Sequence, residues 1–258
     1  MTLAIPIFLL PIRFAAANPT IRVTRGTTQT LTLSVNANED YWLAGDGQTT
    51  TGARDLAERL QTCLRSHGGT DASTFAVTVS SDNVLTITCA SAFSILWGDG
   101  ATTVDPTIFG WTASSTASAT SAIAPYQSKG VWAPGQPWTF DSGDEETIIG
   151  SFTETSDGGS RGSLSSVIYD RTIRFELLLP SRVRTADADA SRPYGTFVYG
   201  WTTGGWAGGR VVRVYDDRTS RTSTSYSTYR RSSLARPWQR MQISTRRYQV
   251  ELQLRRVA

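Results

Sequence analysis

Lysine, histidine and cysteine are almost missing from this chain of 258 residues. Lys129 is the only lysine among 25 basic residues, His67 is the only histidine, and the cysteines are Cys63 and Cys89. One histidine excludes any two-His metal site within the chain. Together with two cysteines it cannot complete a Cys₄ or Cys₂His₂ zinc site. The same shortage excludes the disulfide framework of a small secreted domain. Long apolar runs are missing as well. The longest, Ile5-Pro6-Ile7-Phe8-Leu9-Leu10, is broken by proline and followed by Pro11 and Arg13. No membrane span is predicted from it. With Ala15-Ala16-Ala17 it has the outline of a secretory leader, but no basic residue precedes it. Residues 1–19 therefore read as an extended arm whose apolar side chains Ile5, Ile7, Phe8, Leu9 and Leu10 dock on a neighbour.

Motifs that carry chemistry are also lacking. There is no Gly-x-Ser-x-Gly elbow to give His67 a serine partner. The glycines Gly204-Gly205 and Gly208-Gly209 lack the lysine and helix that follow a phosphate-binding loop. His67 precedes Gly68-Gly69 and is expected to be a cation at a helix C-terminus, favoured by the helix dipole. Asp141, Asp144, Glu145 and Glu146 read as one acidic loop, and Asp187 and Asp189 as another. Neither follows the twelve-residue calcium pattern, so solvated turns are expected. No carboxylate pair stands out for glycoside hydrolysis. No metal, cofactor or catalytic residue is predicted, and the chain is not expected to be an enzyme.

What is present is β patterning. Ile21 and Val23, then Leu31, Leu33 and Val35, alternate around the turn signal Arg25-Gly26. Phe75, Val77 and Val79 alternate, Ser81-Asp82-Asn83 turns the chain, and Leu85, Ile87 and Cys89 alternate on the return. Phe93, Ile95 and Trp97 continue that pattern. Between these hairpins lies the one clear helix, predicted over 53–65. Ala53, Leu56, Ala57, Leu60, Cys63 and Leu64 follow helical spacing, with a threonine run as N-cap and Gly68-Gly69 as stop. Cys63 on the apolar face and Cys89 in a strand read as free, buried thiols of a protein made in a reducing compartment. Residues 113–124 are nearly all Ser, Thr and Ala and read as a flexible or surface-crawling connector. Beyond it, strands are expected at Ile173–Leu179, Thr196–Trp201, Val211–Tyr215 and Tyr248–Leu254. The fold class is therefore mainly β with one clear helix. An arm (1–19) leads into an α+β sheet domain (20–112), a connector (113–125) and an antiparallel β-sandwich domain (126–258).

Charge divides unevenly behind a net of +3. The basic excess lies in the second half and concentrates in 210–258, where Asp216, Asp217 and Glu251 are the only acids. These arginines occur singly or in pairs among Thr, Ser and Tyr, with no basic helix. Subunit contacts are expected of them rather than nucleic acid, because the guanidinium fork pairs bidentately and stacks on aromatic rings. Of 8 tryptophans, Trp97 and Trp111 fit the first core. Trp132, Trp138, Trp201 and Trp206 lie in or near Gly/Pro-rich loops, where they either cap a core or contact a sugar or a protein.

The first half resembles a recurring unit of tailed-bacteriophage virion proteins. There, a helix like Leu56–Leu64 precedes a hairpin, a strand like Phe93-Ser-Ile-Leu-Trp97 and a turn like Ile108-Phe-Gly-Trp-Thr112. The second half resembles the C-terminal part of phage minor tail proteins in Gly209–Thr219, in Tyr226, Tyr229 and Trp238, and in the closing strand Tyr248–Arg256. Trp111 replaces the usual phenylalanine, and the Ser/Thr/Ala connector is long for that pattern. The resemblance implies a minor tail or distal-tail (baseplate) structural protein, made in the host cytoplasm and carried in the virion tail. It implies a homo-oligomeric ring that docks other tail proteins, and it carries no active-site residues. Interfaces are expected at the arm and at Trp201, Trp206, Arg210, Arg213 and Arg218. The alternative is a carbohydrate-binding or adhesin-like β module that reads host surface glycans through Trp132, Trp138, Trp201 and Trp206.

Overall fold

A computed structural model describes residues 5–43, 54–132, 143–154, 160–178, 211–219, 225–231, 238–244 and 247–257. In chain order the elements are β1 (Ile7–Leu9), β2 (Thr20–Arg25), β3 (Thr27–Thr32), α1 (Leu56–Arg65), β4 (Ala76–Val79), β5 (Leu85–Ile95), β6 (Ala119–Ile123), β7 (Val131–Trp132), β8 (Gly143–Glu154), β9 (Ser160–Leu178), β10 (Val212–Tyr215), β11 (Tyr226–Arg231), β12 (Trp238–Ser244) and β13 (Arg247–Arg256). Every strand pairing among the described residues is antiparallel. They build a first sheet ordered β3-β2-β5-β4, with β6 also paired to β5. The second sheet is ordered β7-β1-β10-β11-β13-β9-β8, with β12 also on β13. The fold is thus mainly β with one clear helix and a sheet in each half of the chain.

The helix lies where its periodicity places it, but its start differs. Asp55, not a threonine, is the N-cap, and its carboxylate accepts the Ala57 N–H at 2.9 Å. An aspartate one residue before Leu56 satisfies an orphan first-turn donor, which residues four or more positions away cannot do. The buried face is Leu56, Ala57, Leu60, Cys63 and Leu64. It packs with Ile21, Val23, Leu31, Phe75, Ile87, Phe93 and Ile95 into one core. Each such apolar side chain contributes about 1.5–3 kcal/mol by leaving water. Phe75 meets Phe93 edge-on at 5.2 Å, and Trp97 stacks on Trp111 at 5.4 Å.

Two expected boundaries move. Segment 113–125 is no flexible connector, because it contains β6, whose Ser121, Ala122 and Ile123 lie opposite Thr88, Ile87 and Thr86 of β5. Two glycines hold its ends. A Cβ on Gly98 would stand 2.1 Å from the Ala113 carbonyl oxygen, and one on Gly110 2.2 Å from that of Tyr126. The arm is no free extension either. β1 pairs with β10 on one side and β7 on the other, so Ile7, Phe8 and Leu9 are fully buried in their own chain's second sheet. A run buried on both faces shows no alternation, which is why it reads as an apolar arm. The chain then continues into the first core through Ile12 and Phe14. The N-terminal segment therefore ties both cores together.

Between Trp97 and β6 a short 3₁₀ turn, Pro106–Phe109, carries Ile108 and Phe109 into the first core. Asp105 caps it, accepting from the Thr107 N–H at 3.0 Å and the Lys129 ammonium at 2.6 Å. Partial burial alone would raise the Asp105 pKa. The Lys129 and Thr107 hydrogen bonds outweigh it and hold the carboxyl below its ordinary value. A depressed carboxylate contributes stability above its unfolded pKa, near 4, and loses it as pH falls through the folded pKa. Urea titrations at successive pH values below about 5 are therefore expected to show a shallower acid loss of stability in Asp105→Asn than in the parent. Equal slopes would contradict this role.

Candidate functional site

The two cores meet at Trp42. Its backbone is held beside the helix start: the Trp42 N–H donates to Arg54 O at 2.9 Å, and the Leu56 N–H donates to Trp42 O at 2.8 Å. Its neighbours Tyr41 and Leu43 pack in the first core, whereas Trp42 packs in the second. Arg213 of β10 lies against it. The guanidinium carbon is 4.4 Å from the Trp42 ring centroid and 4.4 Å from that of Tyr226. A cation between two aromatic faces is attracted by both ring quadrupoles, more strongly when desolvated, and Arg213 is only 7% exposed. The expectation of Arg213 at an outer interface is thus corrected. Val212, Arg213, Val214 and Tyr215 are all buried, because Trp42 covers the face that alternation assigns to solvent.

Arg218 is likewise used within the chain. Its guanidinium donates to Asp82 at 2.7 Å across the gap between the β10–β11 turn and the β4–β5 turn, and its N–H donates to Ile5 O at 2.8 Å. Leu10 donates to Gly130 O at 2.6 Å. Of the expected interface residues, Ile5, Ile7, Phe8, Leu9, Leu10, Arg213 and Arg218 therefore gather at the joint between the two halves. Trp201, Trp206 and Arg210 lie outside the described residues, as do Trp138, Asp141, Asp187 and Asp189. Trp132 is in β7, opposite Phe8 of β1.

A second group of arginines forms rungs between β9 and β13. Arg174 stands directly opposite Glu251 and donates to it at 2.6 and 3.0 Å. Arg255 stands opposite Asp170 and grips both carboxylate oxygens at 3.0 Å, which raises the guanidinium pKa above its usual value. Arg171 donates to Tyr229 Oη at 3.1 Å and to Asp216 at 3.2 Å. Such cross-strand pairs fix register. Sequence reasoning missed this use because the acids are far away in the chain. The one readable signal was Glu251 inside an otherwise basic, alternating strand.

At the end of these rungs the second sheet changes character. Asp170, Arg171 and Thr172 of β9 are paired on both sides, with β13 and with β8. Beyond Asp170, among the described residues, β9 has only β8 beside it, from Glu146↔Tyr169 to Glu154↔Ser160. This two-stranded ribbon runs roughly 30 Å past the sheet at the usual rise per residue. Asp144, Glu145 and Glu146, expected in an acidic loop, are strand residues opposite Arg171, Asp170 and Tyr169. Acids are disfavoured in strands taken alone, and a partner strand overrides that preference.

The thiols and the histidine occupy the first half. His67 lies just past the helix C-terminus, as expected, and is buried there. It is 2% exposed, with Nδ1 2.8 Å from Gly68 O and Nε2 3.3 Å from Thr27 O, and it fastens the helix end to the β2–β3 turn. Arg25 donates to the same Gly68 O at 2.8 Å, beside a shallow depression lined by Gln29, Thr70 and Ser91. Burial pushes the Cys63 thiol up to about 12, and both cysteines are buried and unpaired. Native protein treated with a thiol reagent at pH 8 is expected to leave Cys63 unlabelled until denaturant is added. Fast labelling of Cys63 in the native protein would contradict its placement. Among the described residues, no three His, Cys, Asp or Glu side chains converge to hold a metal. No described helix is long and apolar enough to cross a membrane. No family model matches the chain, and no curated protein is similar to it in sequence.

Proposed function

We propose that this chain is a structural subunit of a tailed-phage virion, placed in the tail or at its distal end. There it forms a ring with copies of itself and docks neighbouring tail proteins. The observation that carries this reading is the β8–β9 ribbon. A two-stranded ribbon is marginal in water on its own, because it has two open edges and too little apolar burial. An extended ribbon anchored by ion-paired rungs to a rigid sheet is suited to lie against another molecule. The joint supports the same reading. The apolar N-terminal strand, Trp42, Arg213 and the Arg218–Asp82 pair lock the two halves together. The segments that resemble phage virion proteins form ordered parts of this frame. Phe93–Trp97 closes β5, Ile108–Thr112 follows it into the core, and Val211–Thr219 forms β10 and its turn.

The test uses purified particles of the phage that encodes the chain. Gold-labelled antibody against the protein is expected to decorate the tail, at fixed copy number per particle. Particles that contain none of the protein would overturn the reading.

A further inference from the structure

Strand edges present rows of backbone donors and acceptors, and proteins usually blunt them with charge, proline or a covering group. The first sheet does this at β4, where the Val77 N–H donates to Gln61 Oε1 of α1 at 2.9 Å. Among the described residues it does not do so at β6 or at β3. The Ala124 N–H donates inward to Leu85 O at 2.9 Å, so by antiparallel alternation Ser121 and Ile123 turn their backbone groups away from β5. The Leu33 N–H donates to Pro19 O at 2.9 Å, so Thr28, Thr30 and Thr32 turn theirs away from β2. Among the described residues these outward groups have no partner; His67 engages only Thr27, at the start of β3. No charged residue occurs from Pro106 to Ser128, and none from Gly26 to Asn38. Ile123 is 65% exposed on the open edge.

Strand direction makes the two edges complementary. At the end of β5, where Phe93 faces Ala119 of β6 and Ser94 and Ile95 face Thr24 and Val23 of β2, the order is β6, β5, β2, β3, and each strand is antiparallel to the next. The outer strands β6 and β3 therefore run in opposite directions. A second copy in the same orientation, displaced along the strands because Ser121 and Ile123 lie level with Thr88 and Thr86 of β5 whereas Thr28 lies level with Ser94 and Thr30 and Thr32 beyond it, brings its β3 antiparallel to the first copy's β6. Both edges are uncharged, so joining them desolvates no unpaired ion.

We propose that β6 of one copy pairs with β3 of the next, so that the first sheet continues from subunit to subunit. The interface is heterologous, and it closes into a ring where the rotation between neighbours divides the full turn evenly with no net rise. This inference rests on the ring reading above and supplies its contact.

Native mass spectrometry of the full chain and of two variants tests it. Ser121→Pro removes an outward donor of β6 and Thr30→Pro one of β3, each without removing a bond inside the sheet. Each variant alone is expected to be monomeric. Their equimolar mixture is expected to give a one-to-one dimer and nothing larger, because only one intact pair of edges remains. Variants that assemble as the parent does would overturn the pairing while leaving the ring reading standing. A parent chain that stays monomeric would overturn both. Hydrogen exchange on the unmodified chain removes dependence on the variants' folding. The N–H groups of Thr28, Thr30, Thr32, Ser121 and Ile123 are expected to exchange at least about tenfold more slowly when assembled than when dilute. Unchanged exchange at these positions would overturn the pairing.

Discussion

Phe8→Ala is expected to destabilise the protein by about 3–5 kcal/mol. Phe8 is fully buried, lies opposite Val214 on one side and Trp132 on the other, and meets Phe175 edge-on at 6.1 Å. Truncation removes the transfer free energy of a phenyl ring and leaves a cavity that three strands cannot collapse around. That loss is a large fraction of the roughly 5–15 kcal/mol that holds a domain folded. Chemical denaturation followed by tryptophan fluorescence measures it. Were residues 5–10 an arm that docks only on another subunit, the isolated chain would lose less than about 0.5 kcal/mol, as for a surface change. The experiment therefore separates a strand of the chain's own sheet from a tether to a neighbour.

Gly110→Ala is expected to cost about 2–5 kcal/mol, from a left-handed backbone at a non-glycine residue and from a steric clash. Gly110 has φ +85° and closes the 3₁₀ turn that places Phe109 in the core. The new Cβ would stand 2.2 Å from the Tyr126 carbonyl oxygen, in a stretch already fixed by the Tyr126 N–H donating to Gly110 O at 3.1 Å. Relief requires moving the chain that leaves β6, which loosens the edge strand proposed to pair between copies. Gly100→Ala is the control, because nothing lies within 4 Å of its Cβ position. It should change stability by less than about 0.5 kcal/mol. Equal thermal midpoints for the two variants would contradict the clamp.

Local pattern was enough for α1, whose five buried residues all follow from helical spacing. It was enough for β2 to β5 and for β13, where Leu252 and Leu254 are buried and Glu251, Gln253 and Arg255 are half-buried. Four features needed information from elsewhere in the chain. β6 has no apolar alternation, and its strand character comes from lying opposite Thr86–Thr88. β1 reads as an arm because neighbours cover both its faces. Arg213 reads as outward because only the fold brings Trp42 onto it. β8 reads as an acidic loop because its partner strand begins only at Ser160, beyond a break in the pattern. The candidate surfaces were correspondingly hard to read. Arginine content pointed to contacts, but Arg171, Arg174, Arg213, Arg218 and Arg255 spend theirs inside the chain. The open edges instead carry threonine, serine and alanine, residues whose neutrality is their only signal.

The central claim is that this chain assembles with itself into a closed ring. Native mass spectrometry of the unmodified chain over a range of concentrations tests that claim most directly. The account predicts one closed oligomer of fixed copy number, with smaller species only on dilution. A monomer throughout, or an open-ended ladder with no closed species, would contradict it.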